Sequence, residues 1–233
     1  MACILHLETS TDVCSVALSE DGACLFSKEE FEGHVHAVLL GVFVDELLSM
    51  ADSAGKRPDA VALSCGPGSY TGLRIGASMA KGICYGRDLP LIALPTLKTL
   101  SVPVLLREEL PDDALLCPML DARRMEVYTA VYDKALTPVM EVSALIVGED
   151  SFAEYLDAHH LWFYGNGAAK CAHIIRHPHA HFLPDVYPLA KWMFPLAEKA
   201  FYNDTFEDVA YFEPFYLKEF VASKPRNLLY ENL

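Results

Sequence analysis

The stretch Cys65-Gly66-Pro67-Gly68-Ser69-Tyr70-Thr71-Gly72-Leu73-Arg74-Ile75-Gly76 joins a strand-like run to a glycine-rich helix. Just before it, residues 60–64 are apolar and of strand length, and residues 70–85 carry helical spacing. Glycines let backbone N–H groups approach a ligand closely, and a helix N-terminus favours negative charge, so the turn admits a phosphate site. It also admits a tight strand-to-helix turn with Ser69 as N-cap. No Gly-Lys-Ser/Thr follows, which excludes a P-loop, and spacing alone favours the plain turn.

Outward from this turn the chain falls into a repeated order of elements. Residues 4–7, 13–18 and 23–27 read as strands, separated by the polar turn 8–12 and by Glu20-Asp21-Gly22, a hairpin signal. A helix is expected from just after Gly33 to about Ala54, stopped by Gly55 with Pro58 beyond, and residues 89–94 form another strand. The second half restarts the order with strands at 115–120, 125–132 and 136–142 and a helix at 151–158. A strand at 161–164, the loop Gly165-Asn166-Gly167 and a helix at 168–176 complete it. Two β-β-β-α-β-α units imply a duplicated, two-lobed α/β fold with a mixed sheet in each lobe. The boundary falls between 100 and 113, giving an N-terminal lobe 1–108 and a C-terminal lobe 109–233.

Of the 233 residues 52% are hydrophobic and 21% charged, which requires a packed core and excludes global disorder. Acids outnumber bases 32 to 18, a formal charge of −14. Affinity for nucleic acid rests on cations that release phosphate counterions, so most faces of this chain repel it and any tie to RNA is expected through a partner. The seven cysteines are scattered without a Cys-x-x-Cys pair, which suits a reducing compartment. The N-terminus lacks the cationic and apolar run of a signal peptide. The apolar runs near 35–44 and 91–106 are too short or too interrupted to span a bilayer. A cytoplasmic protein without membrane contact is expected.

The two N-terminal helices carry more apolar surface than one sheet needs. In the second, Gly72, Gly76 and Ala80 form a small-residue ridge at i, i+4 and i+8, with Gly82 and Gly86 following. Each interior glycine costs about 1 kcal/mol against alanine, so this helix depends on tertiary contact. The first helix has Val35, Val38, Leu39 and Val42 on one side and Leu40, Phe43, Val44, Leu47 and Leu48 on another. A helix resting on its own sheet needs only one apolar stripe. The excess points to a protein–protein interface made of Val35, Val38, Leu39, Val42, Gly72, Leu73, Gly76, Met79, Ala80 and Ile83. Burial inside one domain is the weaker alternative. Alone, the chain is expected to form a homodimer through the same face.

Catalytic and metal signals are thin. His34 and His36 are two apart, and the i+4 partner of His34 is Val38, so the helix holds no metal pair. The run His177-Pro178-His179-Ala180-His181, with His173 nearby, has no fixed carboxylate companion, and no metal is expected there. No Gly-x-Ser-x-Gly elbow occurs. Glu8, Thr9, Ser10 and Thr11 could hold phosphate or magnesium or only make their turn. Asp121 with Arg123 and Arg124, at a hairpin turn, could touch a phosphate or a partner, or be a solvated turn with a local ion pair.

These residues carry a family likeness. Leu7-Glu8-Thr9-Ser10-Thr11 with Cys14-Ser15-Val16-Ala17-Leu18 resembles the opening pattern of the bacterial TsaB (YeaZ) family, and the Gly66–Gly76 segment is similar to its signature loop and helix. Leu120-Asp121-Ala122-Arg123-Arg124-Met125-Glu126-Val127-Tyr128, Gly165-Asn166-Gly167-Ala168 and Pro214-Phe215-Tyr216-Leu217-Lys218 resemble its later segments. The resemblance implies the duplicated fold of the actin, sugar-kinase and Hsp70 superfamily. It also implies a non-catalytic paralogue of TsaD that activates TsaD by pairing with it through N-lobe helices. TsaD transfers a threonylcarbamoyl group to the adenosine beside the tRNA anticodon, and the ATPase TsaE docks on the pair. TsaD carries a His-x-x-x-His metal pair, and Val38 stands here where the second histidine would fall. No cofactor is expected for the chain alone, with ATP and magnesium entering only in the complex, and no direct tRNA binding. The alternative is a self-sufficient ATPase or kinase of that superfamily. Glu8, Thr9, Ser10, Ser69 and Asp121 would then be its nucleotide contacts. Glu8 departs from the superfamily's usual Asp, which weakens that alternative. The aromatic tail 204–233 carries no readable role.

Overall fold

The computed structural model describes residues 2–33 and 35–218. The first half forms β1 (Cys3–Glu8), β2 (Cys14–Glu20), β3 (Ala23–Glu30), α1 (His36–Ser53), β4 (Ala60–Gly66), α2 (Tyr70–Arg87) and β5 (Leu91–Pro95). They make a sheet in the order β3-β2-β1-β4-β5, antiparallel on the hairpin side and parallel from β1 through β4 to β5. Asp21 and Gly22 both take positive φ, as the short β2–β3 hairpin requires. Strands β1, β2 and β4 are buried along nearly their whole length because both faces of the sheet are covered. Leu5, Leu7, Val16, Leu18, Val61 and Leu63 meet α1 and α2 on one face. Ile4, Ala17, Ala62 and Ile92 meet a later helix on the other.

The second half repeats the plan. Strands β6 (Ala114–Asp121), β7 (Glu126–Tyr132), β8 (Pro138–Ile146), β9 (His160–Tyr164) and β10 (Ala180–Leu183) lie in the order β10-β9-β6-β7-β8. With β6 for β1 and β9 for β4, this is the first sheet's order, with the same parallel and antiparallel pairings. The expected two-lobed duplicated α/β fold with mixed sheets is the fold found.

Several elements depart from the sequence reading. The helix expected at 151–158 is one turn, α4 (Ala153–Leu156), and that expected at 168–176 is a 3-10 turn, Ala169–Cys171. Ile174 and Ile175 N–H groups both return to the Cys171 carbonyl, and Pro178 disfavours helix at the residue before it. A buried helix, α3 (Thr96–Arg107), fills the supposed boundary despite Pro103 within it. Its Leu97, Leu100 and Val104 pack against Leu116, Leu120, Tyr132 and Tyr164 of the second sheet, and that burial offsets the roughly 3 kcal/mol cost of an interior proline.

After β10 the chain returns to the first lobe. The 3-10 turn Ala190–Trp192 and α5 (Phe194–Tyr202) cover the far face of the first sheet through Ala190, Met193 and Ala197. Residues 205–218 then run as a strap over the first lobe. Glu207 N–H bonds Leu91 O at 2.8 Å, Phe212 is buried in the main core, and Phe215 N–H bonds Cys65 O at 2.7 Å. Lys81 Nζ donates to the carbonyls of Ala210 and Phe212 at 3.0 and 3.1 Å. Residues of the tail beyond 218 lie outside those described. Among the described residues no helix is long and apolar enough to cross a membrane.

Candidate functional site

The loop after β4 is built around close backbone approaches. Gly66 has a φ of 116°, and a Cβ there would lie 2.5 Å from the Phe215 carbonyl oxygen. A Cβ at Gly68 would collide with the Ser10 carbonyl. Ser69 N–H bonds that same Ser10 oxygen at 2.7 Å, and Ser69 Oγ accepts from the Gly72 N–H at 3.3 Å. Ser69 is therefore the N-cap of α2, and the loop is held to the end of β1 by the chain's own groups.

The second helical turn continues the same contact. Thr9 Oγ1 donates to the Gly72 carbonyl at 2.8 Å, and side chains at Gly72 or Gly76 would collide with Thr9. The small-residue ridge thus serves the turn after β1. Gly72 and Gly76 are buried there, while Leu73 and Ala80 are 1% and 0% exposed. These four, expected at a partner interface, are enclosed by the chain's own first lobe and offer no contact surface. The physical reason is that a smooth ridge fits an internal backbone turn as well as a foreign helix.

Glu8, Thr9, Ser10 and Ser69 do come together at the start of α2, but the first three are 0%, 2% and 1% exposed. Glu8 Oε1 accepts from the Ser10 N–H at 2.6 Å, while Glu8 Oε2 and Ser10 Oγ have no hydrogen-bond partner among the described residues. Burial pushes the Glu8 carboxyl up to about 7, with the hydrogen bond from the Ser10 N–H acting against that rise. The carboxyl is thus closed from solvent and drawn toward its neutral form. Asp121 stands at the equivalent end of β6 in the second sheet, ion-paired with Lys170, and its N–H bonds Asn166 Oδ1 at 2.9 Å. There a Cβ at Gly167 would lie 3.0 Å from the Asp121 nitrogen, so both lobes lock the same two loops together.

The accessible apolar surface lies on the outer side of α1 and α2. Val38 is 72% and Val42 48% exposed, while Val35, Leu39, Met79 and Ile83 are half-buried near the seam between the helices. Beside that seam runs an open groove of about 1000 Å³ lined by Ala37, Tyr70, Arg74, Ile75, Met79 and Ile83, among others. Gly82 and Gly86 also line it, and a Cβ at either meets nothing within 4 Å. Of the expected interface residues, Val35, Val38, Leu39, Val42, Met79 and Ile83 therefore lie at or near the surface. Sequence reasoning missed Tyr70, Arg74 and Ile75; the i, i+4, i+8 stripe Ile75-Met79-Ile83 was the available signal.

The histidines are placed otherwise. His34 lies outside the described residues, and His36 is buried with Nε2 unpartnered. His160 Nδ1 lies 2.7 Å from His181 Nε2, and the His181 ring stacks on Trp162. Among the described residues no group of three or more His, Cys, Asp or Glu is arranged to hold a metal ion.

Known proteins resemble the chain along most of its length. The family described as "TsaD: tRNA N6-adenosine threonylcarbamoyltransferase" matches residues 30–223. A Haemophilus influenzae protein, "tRNA threonylcarbamoyladenosine biosynthesis protein TsaB", is 35% identical over 125 residues, 54% of this chain and 51% of that protein. The Bacillus subtilis protein of the same name is 33% identical over 129 residues, 55% of this chain and 54% of its own. The chain spans about half the length of the curated relatives it matches. The solved structure "YeaZ from Pseudomonas aeruginosa" superposes with a TM-score of 0.80 at 26% identity, covering 93% of this chain and 100% of that one.

Proposed function

Because the chain belongs to the TsaD-type tRNA N6-adenosine threonylcarbamoyltransferase family, in its TsaB (YeaZ) branch, we propose that it is a non-catalytic subunit of threonylcarbamoyladenosine biosynthesis. In this reading it docks on a TsaD-type catalytic protein in the cytoplasm and supports transfer to the adenosine beside the tRNA anticodon. The observation that carries it is the exposed apolar face of α1 and α2, with its groove of about 1000 Å³. An apolar surface of that kind marks a protein partner. Isolated, the chain closes the same face against a second copy. The pair offers a docking surface to a TsaE-type ATPase, and Mg-ATP binds only in that assembly.

The burial of Glu8, Thr9 and Ser10 supports the absence of independent nucleotide chemistry. Co-expression with a TsaD-type protein and assay of tRNA modification tests the proposal. Val38→Glu puts a charge on a 72% exposed position and is expected to abolish both complex and modification while leaving the fold intact. Retention of both by Val38→Glu would refute the docking face. Tight, stoichiometric Mg-ATP binding by the isolated chain, lost in Glu8→Ala, would instead make it an ATPase or kinase. Sedimentation showing only monomer at high concentration would refute the homodimer.

A further inference from the structure

We infer that the β6–β7 turn is an RNA-contacting surface, at which Arg123 and Arg124 bind backbone phosphates of the tRNA held by the complex. The inference rests on the docking role proposed above and adds a contact that the overall charge argues against. The chain has 18 basic residues under a formal charge of −14. Four of those residues, Arg123, Arg124, Lys170 and Lys218, nonetheless meet at this end of the second sheet. The carboxylates at the end of β6 and the start of β7 are already engaged, Asp121 by Lys170 and Glu126 by Lys218. Both arginines are exposed, and neither guanidinium has an ion-pair or hydrogen-bond partner among the described residues. Guanidinium forks left uncompensated on an acidic protein suit phosphate oxygens.

The turn is held in shape before any ligand arrives. Arg123 and Arg124 have φ of 70° and 51°, a left-handed conformation that non-glycine residues adopt only under restraint. Lys170 Nζ supplies that restraint, donating to the Arg124 and Glu126 carbonyls at 2.8 and 2.6 Å, while Arg123 N–H bonds Asp121 Oδ1 at 2.9 Å.

The neighbourhood favours RNA over an acidic protein. Lys218 lies two residues beyond Tyr216, whose ring packs on Tyr70 with centroids 4.8 Å apart, and the Arg74 guanidinium sits 4.9 Å over the Tyr70 ring. Phe215 beside them is 47% exposed. Cations interleaved with rings form a strip from the end of the α1–α2 groove to the arginine turn, the composition that stacks bases while tracking a phosphate backbone. The groove shares Tyr70 and Arg74 with that strip, so a partner docked in the groove sits beside the strip that leads to the turn.

Arg123→Gly/Arg124→Gly, assembled with the TsaD-type partner, tests the inference by tRNA binding across a salt series. Glycine suits the left-handed backbone, so the variant is expected to assemble normally with an unchanged or raised melting temperature. The log-log salt slope is expected to shrink by about one per arginine, with tRNA affinity down about tenfold or more. Arg123→Lys/Arg124→Lys keeps the charges and is expected to keep the slope. An unchanged slope and tRNA affinity in the glycine variant would overturn the inference. So would loss of the ATPase subunit with RNA binding intact, which would make the turn a protein contact. Failure of the wild-type chain to join its partner would sink the docking role instead. The isolated chain titrated with tRNA at low salt would then still decide the turn, since the inference requires salt-sensitive binding that the glycine variant loses.

Discussion

Thr9 is the residue around which the N-terminal half is arranged: its hydroxyl bonds the Gly72 carbonyl, and its atoms occupy the space where side chains at Gly72 and Gly76 would project. Gly76→Ala is therefore expected to lose about 1–3 kcal/mol in urea unfolding through overpacking, despite the better helix propensity of alanine. That a small-residue ridge exists was legible in the sequence. What covers it was not, because glycine spacing specifies a close approach and not its partner. Glu8, one residue earlier, makes a pH prediction. Its folded carboxyl is raised to about 7 against an ordinary 4.5, so between those values the folded chain holds a proton that the unfolded chain releases. Stability from this group is complete below about pH 4.5 and is lost as pH rises through about 7, a change of about 3 kcal/mol. Glu8→Gln stays neutral throughout. The wild type should therefore weaken relative to Glu8→Gln as pH climbs from 4.5 to 7.5, by chemical denaturation at each pH. His6, pushed down to about 3 by burial, works in the opposite sense and cancels in that comparison because both proteins carry it.

Among the helices, those buried along a single stripe were readable and the one buried all round was not. α1 and α2 appear within a few residues of their expected ends, because the helical period marks both and Gly55 marks the stop of α1. α3 lies between the two sheets with even Thr96, Thr99 and Ser101 buried, so its polar residues mark no outer face, and Pro103 argues against a helix. The strap 205–218 was equally unreadable, since an extended segment bound through backbone groups leaves little trace in residue type. Its anchor is Phe212, 8% exposed in the core that α1 and α2 share. Phe212→Ala is expected to cost about 3–5 kcal/mol in urea unfolding, a core-sized loss from a segment that carries no regular secondary structure. A loss under about 1 kcal/mol would mean the strap is loosely held.

At the scale of the molecule, duplication was legible and asymmetry was not. The order of strands repeats in both lobes, yet the first lobe spends two 18-residue helices on its crossovers where the second uses a four-residue helix and a 3-10 turn. The larger helices leave an apolar outer face that no other part of the described chain covers, and that asymmetry is the basis of the docking role. Gly76, enclosed by Thr9, is unsuited to probing this face, because a substitution there destabilises the fold itself. Gly82 is suited to it: it lines the groove, and a Cβ there meets nothing within 4 Å. Gly82→Arg fills the groove with a long cation and improves helix propensity by up to about 1 kcal/mol, so the variant should be at least as stable as the wild type. Sedimentation of each with a TsaD-type protein is the most direct measurement. The account predicts a stable complex with the wild type and two separate species with Gly82→Arg at an unreduced melting temperature. A complex of equal affinity with Gly82→Arg would contradict it.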